Sequence, residues 1–175
     1  MEDRSRWSVA VCGHLAGLVS SQRFLDGFLG AFSPMSIEPD ITGLIDGLLG
    51  ERDVCFPRMN LAVGAGVMDF FRVAHPDEMV LEPRFGGRWK EPSPGSEAVV
   101  PEALSLILVP FVAIDDSGTR LGRGGGYYDR YLACLRPEVL KVAVGFEIQR
   151  VRALPFESHD VRMDMLVTER GVERF

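Results

Sequence analysis

Leu104 to Val109 is an apolar run closed by Pro110, and a little further on stands Arg120-Leu121-Gly122-Arg123-Gly124-Gly125-Gly126-Tyr127-Tyr128-Asp129-Arg130. The run predicts a buried strand, and Tyr128, Tyr131, Leu132 and Leu135 then recur at helical spacing. The glycines therefore join a strand to a helix, an order that commits the chain to a layered α/β arrangement. Glycine permits positive φ and close backbone approach, while a helix start offers outward-pointing amides and partial positive charge. The stretch is an anion site, with Arg120 and Arg123 as forked donors for phosphate oxygens. Asp129 cannot be there to attract phosphate, and a carboxylate beside a phosphate site commonly holds Mg²⁺. No Gly-Lys-Ser/Thr closes a P-loop, and Gly122-x-Gly124-x-Gly126 lacks the dinucleotide spacing, so the loop is of another kind.

Upstream, Val9, Val11, Leu15, Leu18 and Val19 predict a helix over Ser8 to Val19. Phe24, Leu25, Phe28, Leu29 and Phe32 predict a second, ended by Ser33-Pro34. Ile41 to Leu49 predicts a third, with Asp40 as N-cap and Gly50 as its stop. Val54 to Phe56 predicts a short strand halted by Pro57, and Val67 to Val73 another. Pro83 to Pro101 is rich in proline and glycine around Trp89 and Glu91, and predicts a long irregular connection. Val142 to Phe146 and Met165 to Thr168 predict the last two strands. Alternating strands and helices imply a three-layer α/β/α fold with a mostly parallel central sheet, where ligands bind beyond the carboxyl ends of the strands.

At 175 residues, 46% hydrophobic and 25% charged, the chain suits one domain over residues 1–175 with an ordinary core. A net charge of -6 argues against nucleic acid as a partner and favours a small ligand held by local arginines. Cys12, Cys55 and Cys134 are odd in number and widely spaced, which fits reduced thiols acting as core filler. No apolar stretch reaches membrane-spanning length and no signal-peptide core follows Met1 to Arg6, so a cytoplasmic protein without a membrane partner is expected.

Pro110, Asp115, Gly118 and then Arg120 to Arg130 with Leu132 resemble the signature of the 5-formyltetrahydrofolate cyclo-ligase family, also called methenyltetrahydrofolate synthetase. The resemblance runs over Ser8 to Val172. It takes in Glu38, Pro57, Met68, Phe70, Glu91-Pro92, Gln149, Pro155, Glu157, His159-Asp160, Asp164 and Thr168-Glu169 in the family's order. It implies an ATP- and Mg²⁺-dependent closure of 5-formyltetrahydrofolate to 5,10-methenyltetrahydrofolate, with release of ADP and phosphate. A formamide oxygen is a poor leaving group, and phosphorylating it lets the neighbouring folate nitrogen attack.

By that resemblance Arg120, Leu121, Gly122, Arg123, Gly124, Gly125, Gly126, Tyr127 and Tyr128 hold the ATP phosphates, and Arg120, Arg123 and Tyr128 act in catalysis. Asp129 and Asp164 hold Mg²⁺. Glu38 binds the folate ring, and Met68, Phe70, Trp89 and Tyr128 line the pterin, since aromatic faces and thioethers suit a planar heterocycle. For Met68 and Phe70 a place in the core is an equal expectation, and His159 beside Asp160 is read as fixing its loop. The sequence departs from the family at its start, where members carry a lysine and an arginine four residues apart and this chain has only Arg4 and Arg6. It also carries Phe111 where a glycine is usual, and Arg88-Trp89-Lys90 before Glu91. Fewer cations leave open a homologue that binds nucleotide or folate without turnover. A monomer or weak homodimer is expected.

Overall fold

The computed structural model describes residues 2–20, 26–60, 66–83 and 89–175. In chain order the elements are α1 (Glu2–Val19), β1 (Phe28–Gly30), α2 (Thr42–Asp46), β2 (Val54–Asn60), β3 (Val67–Val73), β4 (Met79–Leu81), β5 (Lys90–Pro92) and β6 (Ala98–Val99). They continue with β7 (Leu104–Pro110), β8 (Ala113–Asp115), β9 (Arg120–Leu121), α3 (Tyr127–Leu132), β10 (Leu140–Val144), β11 (Arg150–Val151), β12 (Met165–Thr168) and β13 (Gly171–Arg174). The main sheet has the order β13-β12-β10-β7-β1-β2-β3-β6. Its five middle strands, β12 to β2, are parallel, and the outer strands are antiparallel.

A parallel strand in the middle of such a sheet is covered on both faces, which is why β7 reads as nearly continuous hydrophobic sequence. Leu106 and Leu108 pack with Val11, Leu15 and Val19 of α1 and Ile45 of α2, whereas Ile107 and Val109 pack with Tyr131 and Leu132 of α3. Successive side chains thus feed two separate cores, as the period of two demands. Each fully buried Leu or Ile here contributes roughly 1.5–3 kcal/mol of apolar burial. The expected three layers and mostly parallel sheet are present.

Several local expectations give way to tertiary context. The stretch with Phe28, Leu29 and Phe32 is strand β1 and its extension instead of a helix, while Phe24 and Leu25 lie outside the described residues. A central strand apolar on both faces satisfies a helical spacing by accident, and Gly27 and Gly30 already weaken a helix there. Gly30 has a packing role: a Cβ on it would stand 3.0 Å from Ile107 Cγ1 and 3.3 Å from Phe70 Cε1. Strand β2 runs straight through Pro57. β1 pairs with β2 only at Val54 and Cys55, so at Pro57 one edge of β2 lacks that neighbour and the missing N–H is tolerated.

The third helix is shorter than its pattern, although Asp40 does accept a bond from the Thr42 amide at 3.1 Å. The connection from Pro83 to Pro101 contains β5 and β6, with Arg88 and its preceding glycines outside the described residues. α1 begins six residues before its expected start at Ser8. β13, mostly exposed and polar, has no pattern that could announce it. Of the three cysteines only Cys55 is buried; Cys12 is half-buried and Cys134 exposed.

The unusual Phe111 has a structural partner. It is buried at 3% exposure just past β7, and a Cβ on Gly145, just past β10, would fall inside the envelope of its ring. Glycine at 145 makes the space that Phe111 fills. Gly145→Ala is expected to cost about 1–3 kcal/mol by overpacking, read as a lower midpoint in denaturant unfolding with an unchanged slope. An unaffected midpoint would show that the ring has room to move.

Candidate active site

The site forms where the parallel strands end. Pro110 closes β7, Met59 lies at the end of β2, and Met35 and Glu38 follow β1; all four line one cavity of about 770 Å³. The floor on one side is apolar, built from Met35, Met59, Met68, Trp89 and Phe111. Arg120 to Asp129 also line the cavity, as do Leu154, Pro155, Glu157, His159 and Asp160.

The glycine segment gets its shape from its flanks. β8 and β9 form a hairpin whose turn is held by Asp115: Oδ1 accepts the Ser117 and Thr119 amides at 2.9 and 3.0 Å. Oδ2 accepts the Leu154 amide at 3.0 Å, which ties the rim to the same turn. Desolvation raises the Asp115 pKa, but the Ser117 hydroxyl, which donates to Oδ1 at 2.8 Å, and these three amides outweigh it and hold the carboxyl below the usual range. Beyond β9, Gly124 at φ +81° and Gly126 at φ +61° adopt the left-handed region, and Gly126 caps α3.

Arg120 is the centre of charge. Its side chain is 2% exposed, and Nη2 donates to Asp129 Oδ1 at 2.7 Å. Burial lowers the guanidinium pKa while Asp129, Tyr128 and Asp160 oppose that effect, so both aspartates act on this cation; a guanidinium remains charged regardless. Its Nε is buried without a hydrogen-bond partner among the described residues, as is the Tyr128 hydroxyl. Burial, with the nearby Glu38 charge, pushes the Tyr128 phenol far up, so it is a neutral donor. Two buried donors without a partner, on two residues that line one cavity, mark a place where the polar groups are incompletely satisfied.

Glu38 is 5% exposed. Oε2 accepts the Met35 amide at 2.8 Å, and Arg123 Nη2 lies 3.5 Å from Oε1. Burial raises its pKa, with the Met35 amide and Arg123 acting against that. Trp89 is 4% exposed, and its indole N–H donates to Glu91 Oε1 at 3.3 Å; the same oxygen accepts the Met59 amide at 3.2 Å. Glu91, which carries no role from sequence, thus orients the indole and the end of β2 together.

The structure brings together Glu38, Met68, Trp89, Arg120 to Tyr128 and Asp129. It does not bring in Phe70 or Asp164. Phe70 is fully buried against Tyr131, with ring centroids 4.7 Å apart, and belongs to the core. Asp164 stands before β12, at the amino end of a parallel strand and hence away from the ligand side of the sheet. Its Oδ2 accepts both Lys141 Nζ at 2.8 Å and the Lys141 amide at 2.7 Å. Asp160 lines the cavity instead, its Oδ2 accepting the Glu157 amide at 2.7 Å. Sequence reasoning overlooked it because His159-Asp160 reads as a turn; the signal available was the dipeptide's place in a proline-bounded segment outside any predicted element. Among the described residues no three His, Cys, Asp or Glu side chains converge into an all-protein cage. Asp129 and Asp160, lining one cavity with the glycine segment, are nevertheless a donor set that suits Mg²⁺, which keeps waters and phosphate oxygens for its other positions.

No helix among the described residues is long and apolar enough to cross a membrane. The model of the 5-formyltetrahydrofolate cyclo-ligase family matches residues 2–169. A 5-formyltetrahydrofolate cyclo-ligase of Mycolicibacterium smegmatis is 34% identical over 166 residues, spanning 93% of this chain and 82% of the relative. That of Mus musculus is 32% identical over 151 residues, spanning 81% and 72%. The solved structure of Aquifex aeolicus 5,10-methenyltetrahydrofolate synthetase superposes with a TM-score of 0.79 at 33% identity, covering 99% of this chain and 83% of that one. The Mycoplasma pneumoniae synthetase shares the fold at a TM-score of 0.74 and 17% identity, covering 97% and 88%. With its family match spanning nearly the whole length, and the glycine cradle and buried glutamate meeting in one cavity, the chain belongs to the 5-formyltetrahydrofolate cyclo-ligase family.

Proposed function

We propose that this chain is an ATP- and Mg²⁺-dependent enzyme that closes 5-formyltetrahydrofolate to 5,10-methenyltetrahydrofolate with release of ADP and phosphate. The observation that carries the reading is the single cavity in which a buried carboxylate and an apolar aromatic wall face a glycine cradle with two arginines. Glu38 accepts the amino and ring N–H donors of the pterin, and Trp89 and Met68 pack on its faces. Gly122 to Gly126 hold the phosphates, and Arg120, Arg123 and the neutral Tyr128 hydroxyl donate to the oxygens on which charge develops. ATP supplies the phosphoryl group that turns the formyl oxygen into a leaving group, and Asp129 and Asp160 would hold Mg²⁺, which would supply charge neutralisation for the phosphates. With the formyl carbon so activated, the wall and Glu38 keep the attacking folate nitrogen in line. The chain acts as one domain over residues 1–175, in the cytoplasm, as a monomer or weak homodimer.

Mixing the purified chain with 5-formyltetrahydrofolate, ATP and Mg²⁺ is expected to raise near-ultraviolet absorbance as the conjugated product forms. Ligand binding without product would instead support a binding protein. The metal assignment is tested by titrating Mg²⁺ in the same assay. Asp160→Asn is expected to raise the Mg²⁺ concentration for half-maximal rate by about tenfold or more. Asp164→Asn is expected to leave that concentration unchanged and to lower thermal stability through Lys141. A shifted Mg²⁺ requirement in Asp164→Asn alone would reverse the assignment.

A further inference from the structure

We propose that Arg130 is the positioning residue of the glycine cradle, fastening Gly125 and Gly126 to Gly66 across the ring of Tyr127 and so setting the shape that receives a polyphosphate. This rests on the reading of the cradle as the ATP site. Arg130 Nη2 donates to the Gly66 carbonyl at 2.9 Å and to the Gly125 carbonyl at 3.1 Å, and its guanidinium lies 5.3 Å from the Tyr127 ring centroid. Gly66 stands at the head of β3, remote in sequence from the cradle, so one side chain joins two segments far apart in the chain.

The glycines around it are required by space as well as by φ. A Cβ on Gly66 would lie 2.7 Å from Tyr127 Cε1 and Oη, and one on Gly125 would lie 2.7 Å from the other edge of the same ring. A Cβ on Gly126 would lie 2.8 Å from Arg130 Nη1. Tyr127 is therefore slotted between two glycines, with Arg130 closing the slot. Gly124 and Gly125 are exposed, and no core packing fixes them. An unrestrained glycine segment loses more conformational freedom on binding than any other, and the strap removes that cost beforehand. One amino group, Nη2, bridges the two carbonyls while the planar guanidinium keeps its place beside the Tyr127 ring, a combination that lysine's compact ammonium gives less well. Occupying the Gly125 carbonyl also neutralises an oxygen that would repel phosphate.

The test is calorimetric titration of ATP with Mg²⁺, and separately of 5-formyltetrahydrofolate, into the wild-type chain, Arg130→Ala, Arg130→Lys and Gly66→Ala. Arg130→Ala and Gly66→Ala are expected to weaken ATP by about tenfold and Arg130→Lys by less, with folate affinity within about twofold of wild type. Millimolar methylguanidinium is expected to restore ATP binding to Arg130→Ala and not to Gly66→Ala, a response that a merely structural role would not give. Wild-type ATP affinity in a folded Arg130→Ala, or parallel loss of ATP and folate in every variant, overturns the proposal. If Arg130→Ala does not fold, Arg130→Lys and Gly66→Ala decide by the same readout. A wild-type chain that binds no ATP overturns the functional reading and the strap together, whereas ATP binding that no variant disturbs overturns the strap alone.

Discussion

Arg120→Met is expected to lower the rate of methenyl product formation at saturating ATP by about a thousandfold, the scale seen when a preorganised donor to developing charge is removed. Arg120 is nearly inaccessible, its Nε awaits an acceptor, and its Nη2 is spent on Asp129. Methionine keeps most of the volume, so the loss falls on charge and hydrogen bonding more than on packing. Asp129 then loses its 2.7 Å partner, and because that carboxylate is 20% exposed the structural cost is moderate, about 1–3 kcal/mol. Arg120→Lys restores the charge without the fork and should recover binding more than turnover. Single-turnover kinetics beside thermal unfolding separate the two effects. A folded Arg120→Met with near wild-type turnover would remove Arg120 from the chemistry.

Glu38→Gln is expected to weaken 5-formyltetrahydrofolate by about 10–100-fold while sparing ATP, the cost of replacing charge-assisted hydrogen bonds by neutral ones. The same substitution is expected to raise thermal stability at neutral pH. Burial raises the Glu38 pKa, so the folded protein holds this proton to higher pH than the unfolded chain does. Between the two pKa values stability falls as pH rises, and above them the ionised carboxylate is a standing cost that glutamine lacks. The advantage of Glu38→Gln should therefore be full above the raised pKa and vanish as the solution is acidified through it into the ordinary carboxylate range. Glutamine still accepts the Met35 amide, so that bond does not confuse the comparison. Unchanged folate affinity would discard the recognition role, and a stability gain independent of pH would discard its electrostatic origin. A buried carboxylate whose ionisation is opposed by its surroundings is the kind of conflict expected of a functional site.

Phe28 to Phe32 and Asp164 show in different ways where reading the residues stops. The first failed because a doubly covered strand is apolar at every position, so spacing carries no information about period. The second failed because direction was invisible: Asp164 and Asp160 stand four residues apart in one segment, and only the paired register of β12 with β10 turns one to Lys141 and leaves the other at the cavity. Phe70 and Met68, two apart, share one face of β3 and one core, but Met68 pairs with Met59 near the end of β2 and so reaches the cavity, while Phe70 lies further along the strand against Tyr131. Glu91 gave no sign of orienting Trp89, since a carboxylate two residues from an indole has no preferred partner until β5 is formed.

The residues alone carried the layered α/β class and the strand-glycine-helix order with its two nearby arginines, because those depend on local backbone freedom and on charges close together in the chain. Which carboxylate reaches the cavity, which aromatic lines it and which arginine joins Gly66 to Gly125 depend on pairings between distant segments. Such pairings are settled by burial and register, quantities that exist only once the sheet has closed over its two cores.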